Sequence, residues 1–189
     1  MAGLIRFFML TLAICSLAAS ARGESIPWRM DPEQSVIEVE VHSTFDVFTC
    51  HVIHYGAQVA IARSTHQVEN ATIMLDLANV KTGKERRDVH LLEWSENARF
   101  SRVSFHLNEL VPGVDGWLQA RGQVTMHGVE KSVTFPVRSL VEGAKHSFDG
   151  ETMLDYRDFG LPIIRKFWIV SVDPKLLVRF HLQGWLDGA

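Results

Sequence analysis

The sequence predicts an all-β fold, an antiparallel sandwich or barrel with one short capping helix. Three observations predict it: many short runs in which apolar and polar residues alternate, turn-forming pairs between those runs, and one segment with helical spacing. In Val36 to His42, alternation places Ile37, Val39 and Val41 on one face. The run from Ala71 to Leu77 does the same with Ile73, Leu75 and Leu77. Val103, Phe105 and Leu107 form a third run, Val133, Phe135 and Val137 a fourth, and Leu176, Val178, Phe180 and Leu182 a fifth. A period of two gives each strand one dry and one wet face.

Turn chemistry separates the runs. Pro112-Gly113 and Asp115-Gly116 lie between the third run and Leu118, and His127-Gly128 lies between Val124 and Val133. Asp149-Gly150 is expected to interrupt or bend the next run, and Asp173-Pro174 to precede the last. A barrel is the better of the two architectures, because it removes sheet edges that would otherwise need protection. Thr82-Gly83-Lys84-Glu85 reads as a capping box, with Thr82 as N-cap and Glu85 reaching back. The helix that follows puts Val89 and Leu92 on one face and is expected to cover one end of the barrel.

The chain has 189 residues, enough for one domain with a sizeable core. Its net charge of −3 argues against a nucleic-acid binder. Arg6, the apolar run Phe7 to Cys15 and the small residues up to Ala19-Ser20-Ala21 have the layout of a secretory signal. Residues 1–21 are therefore expected to be the signal peptide and residues 22–189 the exported mature domain. Ile14 is too bulky for lipoprotein processing at Cys15. Cys50 is then the mature chain's single cysteine, so no internal disulfide forms and packing alone must hold the fold. Cys50 is expected to be buried as a small apolar residue.

Residues with chemical potential are present without a catalytic pattern. His42, Cys50, His51 and His54 are a candidate metal or redox cluster, but residues three apart on a strand face opposite sides, which separates His51 from His54. No HExxH, paired CxxC, GxSxG or phosphate-binding glycine loop occurs. Arg87, Asp88 and His90 are the polar groups an enzyme acting on a bound lipid would use, or else they tie the helix to the barrel mouth. Arg157 between Asp155 and Asp158 reads as a structural ion pair. The expectation is a protein without catalytic residues, metal or cofactor. The inward apolar face remains, and periodicity does not distinguish a ligand cavity from a solid core.

Three segments resemble the YceI-like proteins, a lipid- or polyisoprenoid-binding periplasmic family. They are Val80-Lys81-Thr82-Gly83 with Arg87-Asp88-Val89-His90-Leu91, the stretch Val124 to Val137 around Met126-His127-Gly128-Val129, and Tyr156-Arg157-Asp158-Phe159-Gly160-Leu161. With Trp28, Asp31 and Ser35-Val36-Ile37, the resemblance runs from about Trp28 to the C-terminus. It implies a lipocalin-like barrel of about eight strands holding a long amphiphile: a polyisoprenoid, an isoprenoid quinone or a fatty-acid derivative. The interior positions expected to hold it are Ile37, Val39, Phe45, Ile73, Leu75, Phe105, Leu107, Val124, Met126, Val133, Phe135, Phe148, Leu154 and Phe180. Expected partners are this apolar ligand and, transiently, redox proteins of the inner membrane; a homodimer is compatible with the sequence.

Two stretches depart from the family pattern. The glycine that follows the first strand in relatives is absent from His42-Ser43-Thr44-Phe45, which alters a strand and the pocket beside it. The usual aspartate and tyrosine-proline are replaced within Glu93 to Arg102, which is read as a surface crossover.

Overall fold

The computed structural model describes residues 24–166 and 170–187, so the expected signal segment lies outside the described residues. The strands are β1 (Ser25–Met30), β2 (Val36–Ser43), β3 (Val47–Val52), β4 (Tyr55–Ala62), β5 (Val68–Asp76) and β6 (Val80–Lys81). After helix α1 (Glu85–Trp94) come β7 (Arg102–Pro112), β8 (Leu118–Met126), β9 (Val129–Glu142), β10 (Lys145–Asp155), β11 (Arg165–Lys166) and β12 (Val170–Leu186).

The sheet closes on itself. β1 pairs with β4, then β5, β7, β8, β9, β10 and β12 follow in order, and β12 returns to β1 through Trp28 opposite Leu186. That is an eight-stranded antiparallel barrel. The other half of β12 pairs with β2, β2 with β3, and β3 with β6. Thus β1–β2 and β3–β4 are each one broken stave of the ring. The break in the second falls at Ile53-His54, so His51 on β3 and His54 do not share one strand.

Two expected interruptions are strand instead. β12 begins before Asp173-Pro174 and absorbs that pair as a register shift between Val172 and Leu176, with the Asp173 carboxylate accepting from the Lys175 amide at 2.9 Å. Proline has no N–H for the ladder, so a bulge accommodates it. β10 runs unbroken through Asp149-Gly150. Gly150 faces inward under the Phe180 ring, where an added Cβ would lie 2.5 Å from Phe180 Cζ. The glycine gives that ring room to lie flat on the wall. The His127-Gly128 turn joins β8 to β9 with φ of 52° and 73°, the twist a two-residue hairpin needs.

The barrel is closed at one end and open at the other. Trp28, Ile61, His146 and Leu186 form the floor, and Trp28 meets Phe148 edge-on at 5.7 Å. A second cluster of Val124, Met126, Tyr156, Phe159 and Leu161 packs at the opposite end, beside α1. There the Tyr156 hydroxyl donates to the Val172 carbonyl at 3.2 Å. Outward positions carry charge, as in Arg121–Glu109 and Arg179–Glu40, each at 2.8 Å. A lipid-facing barrel disfavours such an exterior.

His146 is fully buried in the floor, with Nε2 3.4 Å from His66 Nδ1. Burial pushes its pKa below the ordinary 6.5, and the adjacent His66 adds to that. The unfolded chain therefore takes up a proton first as pH falls below 6.5, and the floor loses stability in acid. Thermal melts from pH 7.5 to 5 are expected to show a smaller decline for His146→Leu than for the native chain. Parallel declines would refute the assignment.

Candidate functional site

The barrel encloses a cavity of about 1150 Å³ that opens at the α1 end. Its wall is built by the alternating faces. Ile37, Val39 and Val41 come from β2, Ile73 and Leu75 from β5, Phe105 and Leu107 from β7, and Val178, Phe180 and Leu182 from β12. Near the floor, inward side chains touch one another, and Phe135, Val137, Phe148 and Leu182 are buried. Higher up, Val39, Ile73, Leu75, Phe105, Val178 and Phe180 point inward yet are only half-buried, because they border open space. An eight-stranded barrel is of the size that can hold one ligand.

Of the expected interior positions, Ile37, Val39, Ile73, Leu75, Phe105, Leu107, Val124, Met126, Phe135, Phe148, Leu154 and Phe180 line this cavity. Phe45 also lines it, at the rim, where it is 73% exposed because the chain turns between Ser43 and Asp46. Val133 does not line the cavity. The pairing of β9 with β10 ends at Val137–Gly150, and Val133 packs between the barrel core and the cluster containing Phe159.

The mouth is framed by α1, the β2–β3 turn and residues 156–165. Helix α1 does not start from a Thr82 capping box. Gly83, at φ 75°, turns the chain, so Lys84 is the N-cap and has no side-chain cap bond. Asp88, not Glu85, reaches back: its carboxylate accepts from the Thr82 hydroxyl at 2.6 Å and the Thr82 amide at 2.8 Å. Burial works to raise the Asp88 pKa, but the two Thr82 hydrogen bonds and Lys81 and Arg87 outweigh it and leave the carboxyl below 3.8. That stabilisation is present above about pH 3.8 and is lost as pH falls through the lowered folded value. Asp88→Ala is expected to cost about 1–2 kcal/mol at neutral pH, from two lost bonds to a charged group. Native and variant melting temperatures should converge in strong acid; a constant gap down to pH 2 would contradict the assignment.

The helix turns Arg86, Arg87, His90, Leu91, Glu93 and Trp94 toward the cavity, whereas Val89 and Leu92, expected to share one face, do not line it, and Val89 is 50% exposed. Arg87 lies over the Phe48 ring at 3.5 Å and pairs with Asp46 at 3.3 Å. Its Nη1 is buried with no protein hydrogen-bond partner. Sequence reasoning missed Trp94, which lines the mouth, meets Tyr156 edge-on at 5.0 Å and donates from Nε1 to the Pro162 carbonyl at 2.8 Å. The segment from Glu93 to Arg102 therefore contributes to the mouth and is more than a surface crossover.

The histidine and cysteine candidates are not brought together. His42 and His51 face outward, beside Glu40 at 2.8 Å and Glu38 at 3.2 Å, while Cys50 faces the cavity. No group of three His, Cys, Asp or Glu side chains among the described residues is placed to hold a metal. Cys50 is buried, and burial pushes its thiol up to about 11, away from thiolate reactivity. Arg157 donates from Nε to Asp155 at 2.9 Å, the expected structural pair.

Comparison with known proteins follows the same geometry. The family model described as the YceI-like domain matches residues 28–184. A UPF0312 protein of Vibrio campbellii is 24% identical over 120 residues, covering 59% of this chain and 60% of that relative. The aligned part thus spans about three fifths of the relative's length. The structure of Burkholderia cenocepacia BcnA matches with a TM-score of 0.72 at 19% identity, over 82% of this chain and 99% of that one. A domain from Saccharophagus degradans, described as a polyisoprenoid binding domain implicated in plant cell wall breakdown, matches with a TM-score of 0.67 at 16% identity. It covers 86% of this chain and 99% of that one.

Proposed function

The chain belongs to the YceI-like domain family, and from that premise we propose that it is a non-enzymatic binding or carrier protein of the periplasm. It holds one long apolar or amphiphilic molecule inside the barrel: a polyisoprenoid, an isoprenoid quinone or a fatty-acid derivative. The observation that carries this reading is the ring of inward apolar side chains left half-buried around about 1150 Å³ of open space. A solid core would bury them. Each methylene withdrawn from water contributes about 0.8 kcal/mol, so a long chain binds firmly with few polar contacts.

The polyisoprenoid binding described for the Saccharophagus domain supports the same ligand class. The charged start, apolar run and Ala19-Ser20-Ala21 exit support export. Two of the mouth's polar groups are engaged in structure, Asp88 with Thr82 and Arg87 with Asp46 and Phe48, which favours carriage over catalysis by that pair. The free Nη1 of Arg87 is a donor for a polar head group. If the cargo is a quinone, redox proteins of the inner membrane are its transient partners.

Displacement of an environment-sensitive fluorescent fatty acid tests the reading in solution. Long-chain fatty acids and isoprenoid quinones are expected to compete with affinity that rises with chain length. A protein that takes up none of the probe would overturn it.

A further inference from the structure

We propose that the rim of the barrel mouth docks on an anionic lipid surface, so that cargo passes between bilayer and cavity without crossing water. The inference rests on the cavity being a lipid site. Phe45 stands at the tip of the β2–β3 turn, bordering the opening, with 73% of its surface exposed. Val47, next to it at the start of β3, is 56% exposed. The Arg87–Asp46 pair ties this turn to α1, whose Val89 is 50% exposed. The turn is also held to β12, where the Ser171 amide donates to the Thr44 hydroxyl at 2.9 Å. The rim therefore presents apolar side chains to water from a braced position, and an interface between water and lipid is where such side chains are stabilised.

Charge favours one kind of surface. The lining residues at the opening include the cations Lys84, Arg86, Arg87 and Arg165 against the carboxylates Asp46 and Glu93. The lining groups therefore sum to two positive charges on a chain that carries −3, while Glu85 and Asp88 of α1 lie outside the lining and offset part of that surplus. Cations at a membrane surface are drawn to anionic lipid and lose that attraction as salt rises. The placement also meets a need of the cargo, since a long chain leaving a bilayer through water forfeits the burial of every methylene.

Co-sedimentation with phosphatidylcholine vesicles, with and without one part in three phosphatidylglycerol, tests the proposal. The expected result is binding to the anionic vesicles that weakens with salt, and weak binding to the neutral ones. Lys84→Glu/Arg86→Glu should reduce binding to anionic vesicles about tenfold or more, each cation near such a surface being worth roughly a factor of five. Val47→Ser/Val89→Ser should reduce it severalfold while leaving uptake of the fluorescent fatty acid unchanged, because neither residue lines the cavity. Equal binding to both vesicle types, or none to either, overturns the proposal. If the charge-reversed protein loses only its affinity for anionic lipid in vesicle-free solution, the cations serve the cargo's own head group and docking is refuted. Failure of the cavity reading looks different: the native protein would take up no probe, whatever its behaviour on vesicles.

Discussion

The double variant Val39→Trp/Ile73→Trp is expected to lose affinity for a long-chain ligand by roughly 200-fold while keeping its fold. Both residues line the cavity, on different staves of the barrel, and both are half-buried because they border open space. Two indoles entering there displace several methylenes of any chain inside. Four methylenes at about 0.8 kcal/mol each amount to about 3 kcal/mol, which is the expected loss. In a packed core the same change would strain the wall and destabilise by about 1–3 kcal/mol for each insertion. Melting temperature and probe titration together distinguish the two. A variant that unfolds points to a solid interior, and one that binds the probe as the native protein does would place the ligand elsewhere.

Trp28→Ala is expected to have the largest effect on stability. Trp28 is 4% exposed, packs edge-on against Phe148 and covers Gly184, where an added Cβ would lie 2.7 Å from the indole Cε2. It also sits where β1 closes the ring onto β12. Removing a buried aromatic costs about 3–5 kcal/mol. For a domain of this size that lowers the melting temperature by roughly 10–15 °C. A fall of less than about 3 °C, on the same scale, would show that the floor is not sealed by this residue.

Much of the fold was legible because alternation is a local signal. The runs around Ile37, Ile73, Phe105, Phe135 and Phe180 each placed the right residues inward. The open space they surround was not legible. An inward valine at position 39 looks the same in sequence whether it meets another side chain or a void. The finer geometry of the site was not legible for similar reasons. Phe45 continues the parity of Val39 and Val41, but the Ser43–Asp46 turn carries it from the wall to the rim of the cavity. Val133 has the correct parity, but the strands part beside it. Trp94 belongs to the mouth through a long-range bond to Pro162, and no local pattern announces that.

The family-like segments proved to be mostly architectural. Asp88 locks Thr82 at the start of α1, His127-Gly128 makes the β8–β9 turn, and Phe159, at 1% exposed, anchors the cluster beside the mouth. They specify a barrel with an open end and leave the cargo to the wall and the rim, where Phe45 and Trp94 lie in the two stretches that depart from the family pattern.

Native mass spectrometry of the protein purified without detergent from a membrane-containing bacterial lysate is the most direct measurement. One bound molecule per chain is expected, with the mass of a long-chain lipid, and it is lost from Val39→Trp/Ile73→Trp. Protein recovered only in the ligand-free state, and taking up no long-chain lipid when one is supplied, would contradict that expectation.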